Sequence, residues 1–281
     1  MSRATKGQAT SRYRTMTINL NGRTRLFPLL GDPIVYARSP DWLSHHMAKR
    51  GMNMISLPME VPEGALDAVM AGLAAARNVD GLSFTMPHKI AGYRFCSTVT
   101  ETSRMLGVVA ALRRNKDGSW HGHTTDGDAF LKAQVDNGAK VAGARVLLLG
   151  CGGAGSAIAI SMLKGGVREL VVHDADAGRA QKLVDLLAKI GGGQVRAGSN
   201  DPTGFDLVCN ATPMGMADGD PLPLDAKLLS RSMFVGDVVA GHGETALIAA
   251  ARKAGCRTAN GDAMVVAVLD VMCDFVQDAW K

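Results

Sequence analysis

An α/β protein of two domains is predicted by three observations. The first half alternates strand-like and helix-like segments in βαβαβ order, and a second strand–glycine–helix start follows at VLLLGCGGAGSAIAISML. The chain has 281 residues and is 47% hydrophobic, enough for two modest cores. Strands that alternate with helices imply a largely parallel sheet. The expected domains are a basic flexible leader (1–22), a first α/β domain (23–126 with 262–281), and a Rossmann-like dinucleotide-binding domain (127–261).

The leader, MSRATKGQATSRYR, holds too few apolar residues to fold by itself. Arg3, Lys6, Arg12, Arg14, Arg23 and Arg25 all precede the first acid, Asp32, so the formal charge of +5 is concentrated there. Without those six, 25 basic residues stand against 26 acidic ones, which gives the body no nucleic-acid footprint. The leader lacks the apolar core of a secretory signal, and no apolar run approaches the ~18 residues of a membrane span. A cytoplasmic protein with no membrane partner is expected. The five cysteines form no C-x-x-C pair, so neither a disulfide framework nor a metal site is expected.

In the first domain, TRLFPLL, MISLPMEV and VDGLSFT read as strands, with helices from about Asp41 to Arg50 and Glu63 to Arg77. Pro87 of SFTMPHK cannot donate to a ladder, so it closes the last strand and leaves Lys89 at the strand's mouth. His88 is expected to be exposed and passive. Asp-Gly within RRNKDGSW marks a hairpin near 110–122. In TTDGDAFLKAQVDNG, Asp126 is expected to cap a helix that runs to about Asn137.

The nucleotide domain begins with a strand from Arg145 to Leu149. It runs into Gly150-x-Gly152-x-x-Gly155, the spacing that provides a tight turn, backbone approach to a pyrophosphate, and close helix packing. ELVVHDADAGRA supplies a second strand ending in Asp174, where an acidic residue can accept ribose hydroxyls. Further strands are expected at FDLVCNAT and MFVGDVV, with helices near 176–190, 225–230 and 244–254. A long amphipathic helix is expected from Gly261 to Trp280.

Taken together, GDPIVYARSP, SFTMPHK, TTDGDAF, LGCGGAGSA, NATPMGM and GDAM resemble, in this order, the motifs of the shikimate/quinate dehydrogenase family. The resemblance runs from about Leu26 to the C-terminus. It implies reversible oxidation of a ring secondary alcohol to a ketone, with hydride passing to a nicotinamide. It also implies Lys89 as the acid/base group and Asp126 as its partner. Ser39, Ser83, Thr85, Thr124 and Val268 then take the family's substrate-binding positions. Gly150, Gly152, Gly153, Ala154, Gly155, Asp174, Asn210, Thr212, Met214, Val238, Gly261 and Met264 take the cofactor-binding ones.

Several positions depart from the family. Ala37, Ala110 and Ala240 replace a serine, an asparagine and a tyrosine, Ser83 and Thr124 each replace an asparagine, and Val268 replaces a glutamine. The leading substrate is a shikimate- or quinate-like hydroxy acid oxidised at a ring carbon, and a less polar cyclic alcohol, which a pocket with fewer polar partners would suit, is the alternative. A non-catalytic metabolite or nucleotide sensor is the alternative of another class, which retention of both Lys89 and Asp126 disfavours. The triplet Asp174-Ala175-Asp176 stands where NADP-using relatives carry an arginine, so NAD is expected over NADP. The small-molecule enzyme is expected as a monomer or homodimer.

Overall fold

The computed structural model describes residues 18–280 apart from 36, 38 and 218. The flexible leader expected at 1–22 falls mostly on residues 1–17, outside those described. The chain divides into two compact units. One extends to Thr124 and takes in the chain from Met272 onward, and the other is Thr125–Val271. The expected joins were 126/127 and 261/262, so Asp126 and residues 262–271 fall in the second unit rather than the first.

The first unit contains β1 (Arg25–Leu26), β2 (Leu29–Gly31), α1 (Ser39–Lys49), β3 (Met54–Ile55), β4 (Pro58–Glu60), α2 (Leu66–Ala75) and β5 (Gly81–Phe84). Then come α3 (His88–Ala91), β6 (Thr98–Val99), α4 (Glu101–Leu106), β7 (Ala111–Arg114) and β8 (Trp120–His123). Six strands form a mixed sheet in the order β4-β2-β5-β7-β8-β6. The β2–β4, β2–β5 and β6–β8 pairs are parallel, and the β5–β7–β8 meander contains the expected hairpin. MISLPMEV yields two short strands rather than one. β3 pairs with β1 in a separate ribbon, and Pro58 opens β4 on the sheet's edge, where its missing N–H costs no ladder bond.

The core of this unit packs Leu30, Leu66, Met70, Leu82, Phe84, Leu112 and Trp120 together. The helix expected over 63–77 opens as a 3-10 turn at Glu63–Ala65 and becomes α-helical only at Leu66. The short α4 is absent from the sequence reading because six residues carry too little periodicity. Thr100 caps it by accepting from Ser103 N–H, and Gly107, at φ +66°, ends it.

The second unit contains α5 (Asp126–Asp136), β9 (Arg145–Leu149), α6 (Gly153–Lys164), β10 (Glu169–His173), α7 (Ala177–Leu187) and β11 (Gln194–Ala197). β12 (Leu207–Asn210), β13 (Phe234–Asp237), α8 (Ala246–Lys253), β14 (Arg257–Ala259) and α9 (Gly261–Gln277) complete it, the end of α9 counting with the first unit. Its sheet is wholly parallel, in the order β11-β10-β9-β12-β13-β14. That is the doubly wound order of a dinucleotide-binding fold, with its switch point beside β9. The helix expected over 225–230 is only a 3-10 turn at Ala226–Leu228.

No helix among the described residues is long and apolar enough to cross a membrane. No group of three metal-ligating side chains occurs among them either.

Candidate active site

The turn after β9 is shaped by missing side chains. Gly150 has φ +95°, which favours glycine, and a Cβ there would lie 2.8 Å from the Ala211 carbonyl group. A Cβ at Gly155 would meet the Gly150 carbonyl oxygen at 2.0 Å, so this glycine lets α6 pack onto its own entry turn. Gly152 and Gly153 differ, because a Cβ on either would meet no protein atom within 4 Å. Their bareness leaves room for something outside the chain, beside the N–H groups at the start of α6, where Ala154 also lies. A pyrophosphate fits that cradle.

Two oxygens of Asp174 brace the same turn. Oδ2 accepts the Cys151 N–H at 2.8 Å and Oδ1 accepts the Asp176 N–H at 3.0 Å. Burial pushes the Asp174 carboxyl upward, but these two amides together with nearby Arg179 outweigh it and hold the group below its ordinary value. The Cys151 thiol is pushed up to about 11 by burial and by the Asp174 charge, so it is no nucleophile at neutral pH.

A second network orders the ends of β12 and β13. Asn210 and Asp237 are fully buried. Asp237 Oδ1 accepts from Asn210 Nδ2 at 3.0 Å and from Val239 N–H at 3.1 Å, and Oδ2 accepts the Thr245 hydroxyl at 2.6 Å. Asn210 Oδ1 accepts from both the N–H and the hydroxyl of Thr212, whose hydroxyl oxygen accepts the Met214 N–H. Asn210, Thr212, Met214 and Val238 thus belong to one hydrogen-bonded loop pair. Gly261 closes on the same loops, since a Cβ there would lie 2.2 Å from the Val239 carbonyl oxygen.

Lys89 lies on the turn after β5. Thr85 N–H donates to Leu30 O at 2.9 Å, His88 N–H to Thr85 O at 2.9 Å, and Val109 N–H to Lys89 O at 2.9 Å. The backbone of the turn is therefore tied to β2 and to the lead-in of β7. Lys89 itself is half-buried. His88 is not exposed as expected but 1% accessible, with Nε2 2.6 Å from Val61 O. Pro87 makes the chain coil back at once into α3, which turns His88 inward, and no sequence signal other than that proline marks it.

The remaining predicted residues divide between the units. Ser39 opens α1, Ser83 is buried within β5, Thr85 follows β5, and Thr124 is buried after β8, all in the first unit. Asp126 and Val268 belong to the second. Asp126 is the first residue of α5 rather than its cap, a place taken by Thr125 with no side-chain cap bond. Val268 and Met264 pack against an alanine cluster of Ala129, Ala133 and Ala267. Asp237 and Thr245 were missed as supports of the site. The available signal was a carboxylate ending an apolar strand, which must find buried donors.

A family profile described as the shikimate dehydrogenase substrate binding domain matches residues 29–112. A shikimate dehydrogenase (NADP(+)) of Rubrobacter xylanophilus is 34% identical over 256 residues, covering 88% of each chain. Among solved structures, a Listeria monocytogenes shikimate 5-dehydrogenase in complex with shikimate and NAD superposes with a TM-score of 0.81. It is 25% identical, and the match covers 95% of this chain and 99% of the other. A ligand-free 5-ketofructose reductase of Gluconobacter sp. strain CHM43 matches equally well, at TM-score 0.81 and 25% identity over 92% and 99% of the two chains.

The expectation of NAD over NADP is overturned. The Rubrobacter relative is an NADP(+) enzyme by name, as are further relatives at 28–34% identity. The structure also removes the two premises of that expectation. The carboxylates of Asp174 and Asp176 are engaged with backbone N–H groups, Asp176 accepting from Gly178 and Arg179. A cation is present as well, since Arg179 Nη1 lies 3.6 Å from Asp174 while its side chain is 56% exposed. Identity of 34% across 88% of both chains, on a substrate domain and a Rossmann-like domain in the expected order, places this dehydrogenase in the shikimate dehydrogenase family.

Proposed function

We propose that the chain interconverts a ring secondary alcohol and its ketone on a shikimate-like hydroxy acid, with NADP(H) as the redox partner. The carrying observation is the turn after β5, which holds a half-buried lysine at the carboxyl end of a strand within the stretch matched by the substrate-domain profile. When bound, the nicotinamide supplies the hydride acceptor or donor. Gly152, Gly153 and the first turn of α6 would hold the pyrophosphate, and the loops ordered by Asn210 and Asp237 would hold the nicotinamide end. Arg179 would face the 2′-phosphate, where a guanidinium offers paired donors.

In oxidation, the carbinol C–H leaves as hydride while the hydroxyl proton passes to the Lys89 amine, and reduction runs both transfers backwards. Asp126 would hold and orient a substrate hydroxyl through its carboxylate. Replacing Lys89 with alanine is expected to lower kcat by about 10²-fold or more with little change in the KM for NADP. Steady-state kinetics with shikimate and NADP checks this, and a fully active Lys89→Ala variant refutes the role.

A second reading concerns substrate preference and is favoured by two residues. Ala110 is buried with its N–H and carbonyl both spent in the sheet, and Val268 packs among alanines. Neither offers a polyol a side-chain partner, and each unpaired hydroxyl costs about 1–3 kcal/mol. Shikimate is then a poorer substrate than a ring alcohol with fewer hydroxyls, and kcat/KM across a panel of both tests it.

A further inference from the structure

We infer that the buried imidazole of His88 is the positioning residue for Lys89, fixing the catalytic turn by bridging from the exit of β5, across the end of β2, to the end of β4. The inference rests on the reading of Lys89 as the proton-transfer group.

The sheet order β4-β2-β5 places β2 between β5, which the turn follows, and β4. At the end of β2, Asp32 N–H donates to Met86 O at 3.0 Å, and at the end of β4, Val61 N–H donates to Gly31 O at 3.0 Å. Both bonds belong to the backbone. The His88 ring adds the third link, Nε2 to Val61 O at 2.6 Å, and so closes a circuit through residues 31–32, 61 and 85–88. A carbonyl oxygen can only accept, so Nε2 carries the proton in this circuit. Gly31 makes room for Thr85 in this turn, since a Cβ there would lie 2.2 Å from the Thr85 Cγ2 atom.

Packing and the hydrogen bond together hold the ring: it is 1% accessible and meets the Phe84 ring edge-on at 6.5 Å between centroids. A hollow of about 260 Å³ lies against it, lined by Glu63, Leu66, Pro87, Ile90 and Arg94 among others. Ile90, on the far side of Lys89 in the chain, is 73% exposed and contributes little grip. The hydrogen bond adds a side-chain tie to the backbone bonds from His88 N–H to Thr85 O and from Val109 N–H to Lys89 O, and α3 sets where the Lys89 side chain starts. A misplacement of about 1 Å in a reacting group can cost up to about 10²-fold in rate.

The test compares wild type with Lys89→Ala, His88→Phe, His88→Asn and His88→Gln, using shikimate and NADP across a pH series, with thermal melting as the check on folding. Phenylalanine keeps the ring and loses the donor, asparagine keeps an amide donor on too short an arm, and glutamine keeps a donor of comparable reach. His88→Phe and His88→Asn are expected to lower kcat roughly tenfold, leave the KM for NADP unchanged and shift the pH profile of kcat/KM. His88→Gln is expected to recover activity to within about threefold of wild type. Should His88→Phe fail to fold, His88→Asn against His88→Gln carries the comparison. A folded His88→Phe or His88→Asn protein with wild-type kcat and pH profile overturns the inference while leaving Lys89 in its role. So does a His88→Gln protein as impaired as His88→Asn with an unmoved profile, which would reduce His88 to packing. Full activity in Lys89→Ala overturns both readings.

Discussion

Two turns of this molecule each follow the carboxyl end of a parallel strand, and they are built in opposite ways. The turn after β9 is defined by what its residues lack: Gly150 takes φ +95°, Gly155 admits a carbonyl oxygen at the distance of a Cβ, and Gly152 and Gly153 face open space. The turn after β5 is defined by what its residues reach, with His88 crossing to Val61 and the backbone of Thr85 and Met86 clasping β2. A polyanion is bound by a bare backbone, whereas a proton-transfer group must be aimed. The first design leaves no room for a Cβ at Gly150 or Gly155, and the second depends on its donors.

The comparison breaks most severely at Gly155. Gly155→Ala puts a methyl 2.0 Å from the Gly150 carbonyl oxygen, a backbone atom that cannot step aside. The expected result is a loss of about 1–3 kcal/mol in stability, as overpacking costs. NADP affinity should fall with it, which calorimetry and thermal melting would read together. Unchanged melting would show that α6 is not seated as described.

Gly152→Ala sharpens the contrast, because its methyl would meet nothing in the chain. Stability is expected to stay within about 0.5 kcal/mol of wild type, as for an ordinary surface change. NADP binding should nonetheless weaken by roughly tenfold, or about 1.4 kcal/mol, since this is the space proposed for its pyrophosphate. Equal loss of both quantities would remove the distinction between the two kinds of glycine.

The smallest effect is expected at Asp174, whose carboxylate braces the glycine turn through two backbone amides. Its folded carboxyl titrates below the ordinary value of about 3.9. Its contribution is therefore complete above that unfolded value and is lost as pH falls through the lower folded one. Asp174→Asn should cost about 0.5–1 kcal/mol at pH 7, because the amide oxygen still accepts one of the two backbone N–H groups. The difference from wild type should shrink in acid. Denaturant melts at pH 7 and pH 3 would check the sign, and a gap that widened on acidification would contradict it.

Much of this was legible in the residues. Arg145–Leu149 was bounded correctly as a strand because an apolar run ends at a glycine, whereas the next strand, expected to end in Asp174, stops one residue earlier at His173. The six motifs pointed to the family before any contact was known, since each is local and their order is linear. The short elements α4, β6, β11 and β14 escaped notice because two to six residues carry no readable period.

What tertiary structure alone decided are pairings across long stretches of chain. His88 meets Val61, 27 residues away, Cys151 meets Asp174, 23 away, and Asn210 meets Asp237, 27 away. A sequence states that Asp174 is acidic and His88 polar. Whether that carboxylate faces a ribose or a backbone amide, and whether that imidazole faces water or a carbonyl, depends on which strand ends the sheet order brings together. Local propensity fixes the glycines and strands of this protein. Hydrogen bonds between distant segments fix the roles of its polar side chains, because a buried donor or acceptor must be matched wherever the fold delivers a partner.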